Sequence, residues 1–346
     1  MEQNENTEKM KASPRTPARY ETSRGKRRKA AQGKAILIAA LLGAVLSGVV
    51  TYLVFYKKAQ KEYEHLKQPI IIEESEVLDK LKGNLEAGTG VTTSLRQSFK
   101  NYLIINDGSR YIFAPIDYEL KMHNRVKENL DTAGAMWSYE KKGHPLAKKG
   151  IDVSSHQGRI DWAKVKADGV EFAICRACYR GYGEEGNLRV DDTFEYNAGN
   201  AAANDITVGA YLFSQATDKK ELDEEVELLL KTIAPYEIKG PVVMDIEIAN
   251  AGEGRADQLG LEERTALAKR FCEKVRAAGY EPALYYNYET ALLLLDVAEL
   301  EDCDKWYASY TSDFYYPYYY KYWQYSEAGT VNGIEGKVDL DLWFED

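Results

Sequence analysis

From Gly150 onward, short apolar runs alternate with amphipathic stretches, and this alternation restricts the fold more than any other feature of the chain. The apolar runs lie at 150–154, 170–177, 208–213, 241–248, 281–287, 305–310, 322–325 and 338–343. Helical patterns separate the earlier ones, at 162–168, 194–204, 219–233, 261–278 and 291–295. In the third of these, Leu222, Val226, Leu229, Leu230 and Ile233 form one apolar face. Gly279 caps the fourth. Eight strands within about 200 residues predict an α/β fold closed into a compact, TIM-like (β/α) barrel. Few helices separate the last strands, so the barrel is expected to be irregular. An open doubly wound sheet is the alternative. Against it, Gly181-Tyr182-Gly183 with Gly186 is only a fragment of a phosphate-binding loop.

The amino-terminal part has a different texture. Formal net charge over the 346 residues is -10, yet residues 1–34 hold ten Lys or Arg against four Glu. They read as a disordered basic tail. Lys26 to Lys29 alone resemble a nucleic-acid patch, but the uncharged run directly after the tail argues against that reading. Residues 35–56 carry no charge, and 22 residues suffice for a bilayer-spanning helix. The basic side precedes the span, which predicts a single-pass signal anchor with a cytoplasmic amino terminus and the remaining chain outside. A cleaved signal peptide is the rival, but the run is long and lacks a small-residue cleavage pattern. Residues 57–148 read as a stalk or small α+β module. It has partial helical spacing at 75–95, a β-hairpin over 101–115 turning at Asp107-Gly108, and a second helical pattern near 117–131. It offers no chemical cluster; spacing or docking of a protein partner is its expected role.

Acids recur inside the apolar runs. Asp152 lies in the first strand of the 149–346 domain, Asp245 and Glu247 in the middle one, Asp339 and Asp341 in the last. Burying carboxylates is costly, and acids held together are what acid–base chemistry requires. A closed barrel makes its first and last strands neighbours, so Asp152 and Asp339 are expected to approach at the carboxyl ends of the strands. Tyr179, Tyr211, Phe213, Tyr285, Tyr310, Trp323 and Gln324 lie on or near neighbouring strands. Acids among aromatics suit a sugar polymer, whose ring faces are apolar and edges polar. No Ser-His-Asp or Cys-His arrangement stands out. His65, His123, His144 and His156 are scattered, so neither a metal nor a cofactor is expected; His156 reads as a structural or rim residue. Cys175 and Cys178, three apart on a strand, point to opposite faces. All four cysteines, with Cys272 and Cys303, read as small buried hydrophobes.

Gly150-Ile151-Asp152-Val153-Ser154 with Gln157-Gly158, Gly209-Ala210-Tyr211, Asp245-Ile246-Glu247, Trp323-Gln324-Tyr325 and Val338-Asp339 resemble, in order and spacing, glycoside hydrolase family 25, the Chalaropsis-type lysozymes. The resemblance covers residues 150–346. It implies an irregular β/α barrel that cleaves the β-1,4 bond between N-acetylmuramic acid and N-acetylglucosamine in peptidoglycan; the expected signal anchor would place that activity between membrane and cell wall. It also implies Glu247 as general acid, Asp245 as the residue orienting the acetamido group or stabilising positive charge, and Asp152 and Asp339 as saccharide-holding groups. Asp341 stands where the family commonly has Asn. A catalytically silent wall-binding module on a membrane stalk is the competing reading.

Overall fold

A computed structural model describes residues 74–249 and 254–345. The expected basic tail and the apolar span at 35–56 lie outside these residues. Among the described residues, no helix is long and apolar enough to cross a membrane. The chain divides into two compact units, Met1–Lys80 and Leu81–Asp346. The described part of the first is the opening of helix α1 (Glu74–Glu86).

After the end of α1, the second unit continues with α2 (Val91–Ser98) and the antiparallel hairpin β1 (Tyr102–Asn106) and β2 (Tyr111–Pro115). Its turn is built by side chains. The Asp107 carboxylate accepts the backbone N–H of Ser109 and of Arg110, both at 2.9 Å, and Gly108 takes φ +90°. The helix expected near 117–131 does not form. That stretch is irregular, with one 3-10 turn at Lys127–Asn129 and an isolated bridge from Met122 to Tyr318. Its backbone is satisfied instead by the 314–320 segment: His123 N–H donates to Pro317 O (3.0 Å), and Lys121 O accepts from Tyr319 N–H (2.8 Å). Tertiary partners thus override a weak helical period. A small sheet of β3 (Leu130–Asp131), β4 (Ser138–Lys141) and β5 (His144–Pro145) comes next.

The barrel then runs in chain order: β6 (Ala147–Val153), α3 (Trp162–Ala167), β7 (Phe172–Arg180), β8 (Leu188–Val190), α4 (Phe194–Ala203) and β9 (Thr207–Phe213). It continues with α5 (Lys219–Ile233), β10 (Val242–Asp245), α6 (Leu261–Ala277), β11 (Pro282–Asn287) and α7 (Tyr288–Leu293). It ends with β12 (Asp304–Ala308), β13 (Tyr322–Gly329) and β14 (Val338–Phe344). Strands β6, β7, β9, β10, β11, β12 and β13 pair parallel in sequence. β14 pairs antiparallel with both β13 and β6 and closes the ring. All eight runs read from the sequence are therefore the barrel strands. β8 is an addition, folded back antiparallel on β7.

Alternation of side chains divides each strand between two cores. Phe172, Ile174, Val243, Ala283, Tyr285, Trp306, Ala308 and Tyr322 fill the barrel. Their neighbours, such as Ala173, Val242, Leu284, Tyr307 and Leu340, pack outward against the helices. Gly150 is required inside: a Cβ there would lie 2.2 Å from the Phe172 ring. On α5, Leu222, Val226, Leu229 and Ile233 are buried as the periodicity predicts, and Asp218 caps the helix by accepting Glu221 N–H at 2.9 Å.

Two expectations about cysteine are corrected. Cys272 on α6 and Cys303 before β12 form a disulfide, so they are not merely small hydrophobes. Cys175 and Cys178 remain free and buried. They do not face opposite ways: a register shift between Arg176 and Cys178 brings both into the outer core.

Candidate active site

Parallel strands end together, and β14, running the opposite way, begins at that same end. Asp152 near the end of β6, Phe213 at the end of β9, Asp245 at the end of β10 and Asp339 near the start of β14 therefore share one rim. Glu247 lies two residues after Asp245. A cleft of about 580 Å³ opens there, lined by all four of these acids. Ten of the eleven residues singled out from the sequence line it: Asp152, Tyr179, Tyr211, Phe213, Asp245, Glu247, Tyr285, Tyr310, Gln324 and Asp339.

Trp323 does not. It is 1% exposed and packs outside the barrel against Trp137, Phe314 and Tyr325, with Nε1–H donating to Ser309 O at 2.9 Å. Adjacent strand residues face opposite ways, so Trp323 points outward because Gln324 points inward. The neighbouring tyrosines behave likewise. Trp137 stacks on Tyr325 at 4.6 Å, and the Tyr315 hydroxyl donates to Tyr102 O at 2.9 Å. Most of the aromatic run from Tyr310 to Tyr325 thus seats residues 102–139 on the barrel, and Tyr310 is its member that, with Gln324, reaches the cleft.

Gln324 organises one side of the site. Its Nε2–H donates to Asp152 Oδ2 at 2.8 Å, while its Oε1 accepts the hydroxyls of Tyr285 (2.8 Å) and Tyr310 (3.0 Å). Among the groups missed by the sequence reading that also line the cleft are Trp306, Arg176 and Glu327. Trp306, in register with Tyr285, donates Nε1–H to Asp341 Oδ1 at 2.8 Å. Arg176 donates Nε–H to Asp191 Oδ2 (2.8 Å) and holds Ser155 Oγ at 3.0 Å. Glu327 sits at the mouth, exposed. The parity of Arg176 with Phe172 and Ile174, and of Trp306 with Tyr310, was the available signal. His156 is an exposed cleft-rim residue, as read.

A second charged pair anchors the wall of the cleft. Buried Arg180 donates Nε–H to Glu225 Oε1 at 2.7 Å, and its other N–H groups donate to Gly186 O and Glu221 O at 2.9 Å each. Glu225 also accepts from Ser214 Oγ at 2.6 Å. These bonds tie the β7–β8 turn, α5 and the end of β9 together. Every polar atom of such a buried pair needs a partner, and here the guanidinium and its carboxylate are spread over three elements.

The acids hold protons unusually well. Burial and then Glu247 push Asp245 well above the ordinary carboxylate range, opposed by Arg176. Burial, with Asp339 next in effect, raises Glu247. Burial and Glu327 push Asp339 up to about 6. Asp152 is raised by burial and by Asp339 and Asp341. Asp245 Oδ1 is buried with no hydrogen-bond partner among the described residues. The cleft therefore presents several interacting carboxyls that hold their protons more tightly than ordinary acids, beside tyrosine and tryptophan faces. Such a set can deliver a proton to a leaving oxygen and offset positive charge.

The comparisons agree with this geometry. Residues 151–334 match the sequence model of glycosyl hydrolases family 25. An autolytic lysozyme of Clostridium acetobutylicum is 27% identical over 198 residues, which are 57% of this chain and 56% of that protein. The chain thus spans little more than half the length of that relative. A family 25 glycosyl hydrolase from Bacillus anthracis superposes with a TM-score of 0.50 at 25% identity, covering 60% of this chain and 93% of that one. The modular autolysin LytC from Streptococcus pneumoniae shares the fold, with a TM-score of 0.53 at 24% identity over 71% of this chain and 58% of that one. The matched residues are more than half of the 346 and include Asp152, Asp245 and Glu247, so the chain belongs to glycosyl hydrolases family 25.

Proposed function

We propose that this chain is a peptidoglycan hydrolase that cleaves the β-1,4 bond between N-acetylmuramic acid and N-acetylglucosamine. The observation that carries the reading is Glu247. It is partly exposed in the cleft, next to Asp245, and its proton is held by burial and by Asp339. Glu247 gives that proton to the glycosidic oxygen as the bond breaks. Asp245 orients the acetamido group of the sugar or offsets the positive charge that develops on its ring. Asp152 and Asp339 hold the saccharide and position water. Tyr179, Tyr211, Phe213, Tyr285 and Tyr310 offer apolar faces to the sugar rings, and the Tyr hydroxyls and Gln324 its polar edges. No cofactor enters this chemistry. A single-pass anchor at 35–56 would hold the domain between membrane and wall, with 57–148 as the intervening part.

The test incubates the full chain and its Glu247→Gln variant with purified peptidoglycan, then reduces the products and identifies them by mass spectrometry. Reduced muramic acid ends are expected from the parent. The variant should lose about 10²–10⁴ in rate, the usual worth of a positioned acid. Reduced glucosamine ends would overturn the linkage. Binding to the wall without products from either protein would replace the enzyme with a silent binding module.

A further inference from the structure

Arg176 is a cation in a cleft of acids, lined also by Asp152, Asp245, Glu247, Glu327 and Asp339. On β7 it is in register with Tyr211, whose own partner on β10 is Val243, two positions before Asp245. The long side chain rises from that layer to the rim, where Nη2–H donates to Ser155 Oγ at 3.0 Å, just past the end of β6. Nε–H donates to Asp191 Oδ2 at 2.8 Å, and the guanidinium carbon sits 4.8 Å from the centre of the Tyr179 ring. Asp191 is itself fixed. Its side chain is fully buried, and it accepts Ser155 N–H (3.1 Å), Thr193 N–H (2.9 Å) and the Thr193 hydroxyl (2.7 Å). Burial would raise that carboxyl, but these bonds and the charge of Arg176 outweigh it and hold it below the usual range. A hydroxyl, a carboxylate and an aromatic ring therefore hold one planar cation in place before any ligand arrives.

The hold leaves donors unused. Nη1 donates to no group among the described residues, and Nη2 keeps a second N–H. Arg180, the other guanidinium of the lining, is engaged by Glu225, Gly186 O and Glu221 O. Fixed guanidinium N–H groups at a rim suit a planar carbonyl or carboxylate acceptor. The two sugars of the proposed substrate differ in that respect. N-acetylmuramic acid is N-acetylglucosamine with a lactyl ether on O3, and the lactyl carboxyl is either free or joined to a peptide through an amide. The lactyl group on C3 is next to the acetamido group on C2, which the reading above gives to Asp245. Asp245, raised by burial and by Glu247, feels an opposing charge from Arg176. We propose that Arg176 is a specificity-determining residue whose free N–H groups take the lactyl carbonyl or carboxylate oxygen of N-acetylmuramic acid and so favour that sugar over N-acetylglucosamine beside Asp245. The inference rests on the reading of the chain as a hydrolase of muramic acid linkages, and it adds which side chain recognises the sugar. A site built to hydrogen-bond one substrate group rejects the analogue that lacks it.

Two soluble glycans separate this role from packing. One is the peptide-free tetrasaccharide of alternating N-acetylglucosamine and N-acetylmuramic acid. The other is chitotetraose, which has no lactyl group. Affinities are measured by calorimetry for the full chain carrying Glu247→Gln, so that neither glycan is consumed, and again with Arg176→Met added. Arg176→Met keeps an unbranched stem and removes every donor. It should weaken the tetrasaccharide roughly 10- to 100-fold, the worth of hydrogen bonds to a charged group, and change chitotetraose less than about threefold. Reducing the lactyl carboxyls to alcohols removes the acceptor without touching the protein. That glycan should bind the Arg176 protein within about threefold of chitotetraose, so the test holds even where Arg176→Met does not fold. Equal losses on both glycans would make Arg176 a packing residue and overturn the proposal, as would equal affinities of the Arg176 protein for the two. Binding is read without turnover, so this failure is distinct from failure of the hydrolase reading, which shows as missing cleavage products.

Discussion

Asp339 lies directly opposite Asp152 where the last barrel strand closes on the first. The two residues are 187 positions apart in the chain, and antiparallel pairing makes them cross-strand neighbours on the inward face. Like charges placed so destabilise each other, and Asp152, raised first by burial, is raised further by Asp339. Glu247 feels the same group.

Replacing Asp339 with Asn removes this repulsion. Glu247 should then release its proton at lower pH, and the alkaline limb of kcat/KM should shift in the acid direction. A pH–rate profile of parent and variant on peptidoglycan checks this. Stability should respond too. Asp339 titrates at about 6 when folded and near 3.9 when unfolded, so the folded chain binds more protons between those values. Its contribution is fully present below the unfolded value and is lost as pH rises through the folded one. Asp339→Asn should therefore gain stability relative to the parent between pH 4 and pH 7, as read from urea midpoints at the two ends. An unchanged difference would contradict the raised value.

Trp323 and Tyr310 should part company under substitution. Trp323→Ala empties a site in the outer core and should cost about 3–5 kcal/mol of stability. Tyr310, 47% exposed, bonds Gln324 Oε1 from the cleft side. Tyr310→Phe should change melting temperature little and weaken saccharide binding by about 1 kcal/mol, the worth of a neutral hydrogen bond. Thermal unfolding and binding to soluble glycan fragments measure the two effects. A Trp323→Ala protein with normal stability but poor binding would return Trp323 to the cleft.

The Cys272–Cys303 link spans 31 positions and joins α6 to the start of β12. Closing a loop of that size should stabilise the fold by about 3–4 kcal/mol. Alkylation of the denatured, unreduced chain should label two thiols, Cys175 and Cys178, and reduction should raise the number to four. Four labelled thiols before reduction would remove the disulfide.

Gly150→Ala tests the packing beneath the acids. The added methyl would meet the Phe172 ring at 2.2 Å, well inside contact distance. Overpacking of this kind costs about 1–3 kcal/mol, and Asp152, two residues on, would be displaced with the strand. Pairing the change with Phe172→Leu should recover most of the stability, as urea midpoints of the three proteins would show. Failure of the double variant to recover would place the constraint in the backbone rather than in the ring.

The aromatic run explains where the sequence misleads. Ten Tyr, Phe and Trp residues from Tyr310 to Tyr325 look alike in composition, yet they serve two surfaces. Parity on β13 separates Trp323 from Gln324, and strand alternation alone would have settled that pair. Tyr315, Tyr318 and Tyr320 precede β13 in irregular backbone, where no period applies. Their partners, among them Tyr102, Asp117 and Arg125, lie about 200 residues upstream. The same contacts defeat the helical pattern at 117–131, because backbone groups there gain distant partners that a local period cannot anticipate.

The sequence by itself determined the eight barrel strands, their order and the acids they carry, because apolar periodicity and breakers are local properties of the chain. It also brought Asp152, Asp245, Glu247 and Asp339 to one rim, since parallel strands end together and closure joins the first strand to the last. The tertiary structure decided what depends on facing and register. It placed Arg176 and Trp306 in the cleft, set both free cysteines on the outer side through one register shift, and joined Cys272 to Cys303. It also buried Asp341 beneath the cleft, where its Oδ1 accepts from Trp306 Nε1–H. Each of these depends on which side chains meet across strands, and a one-residue shift in register is enough to reverse it.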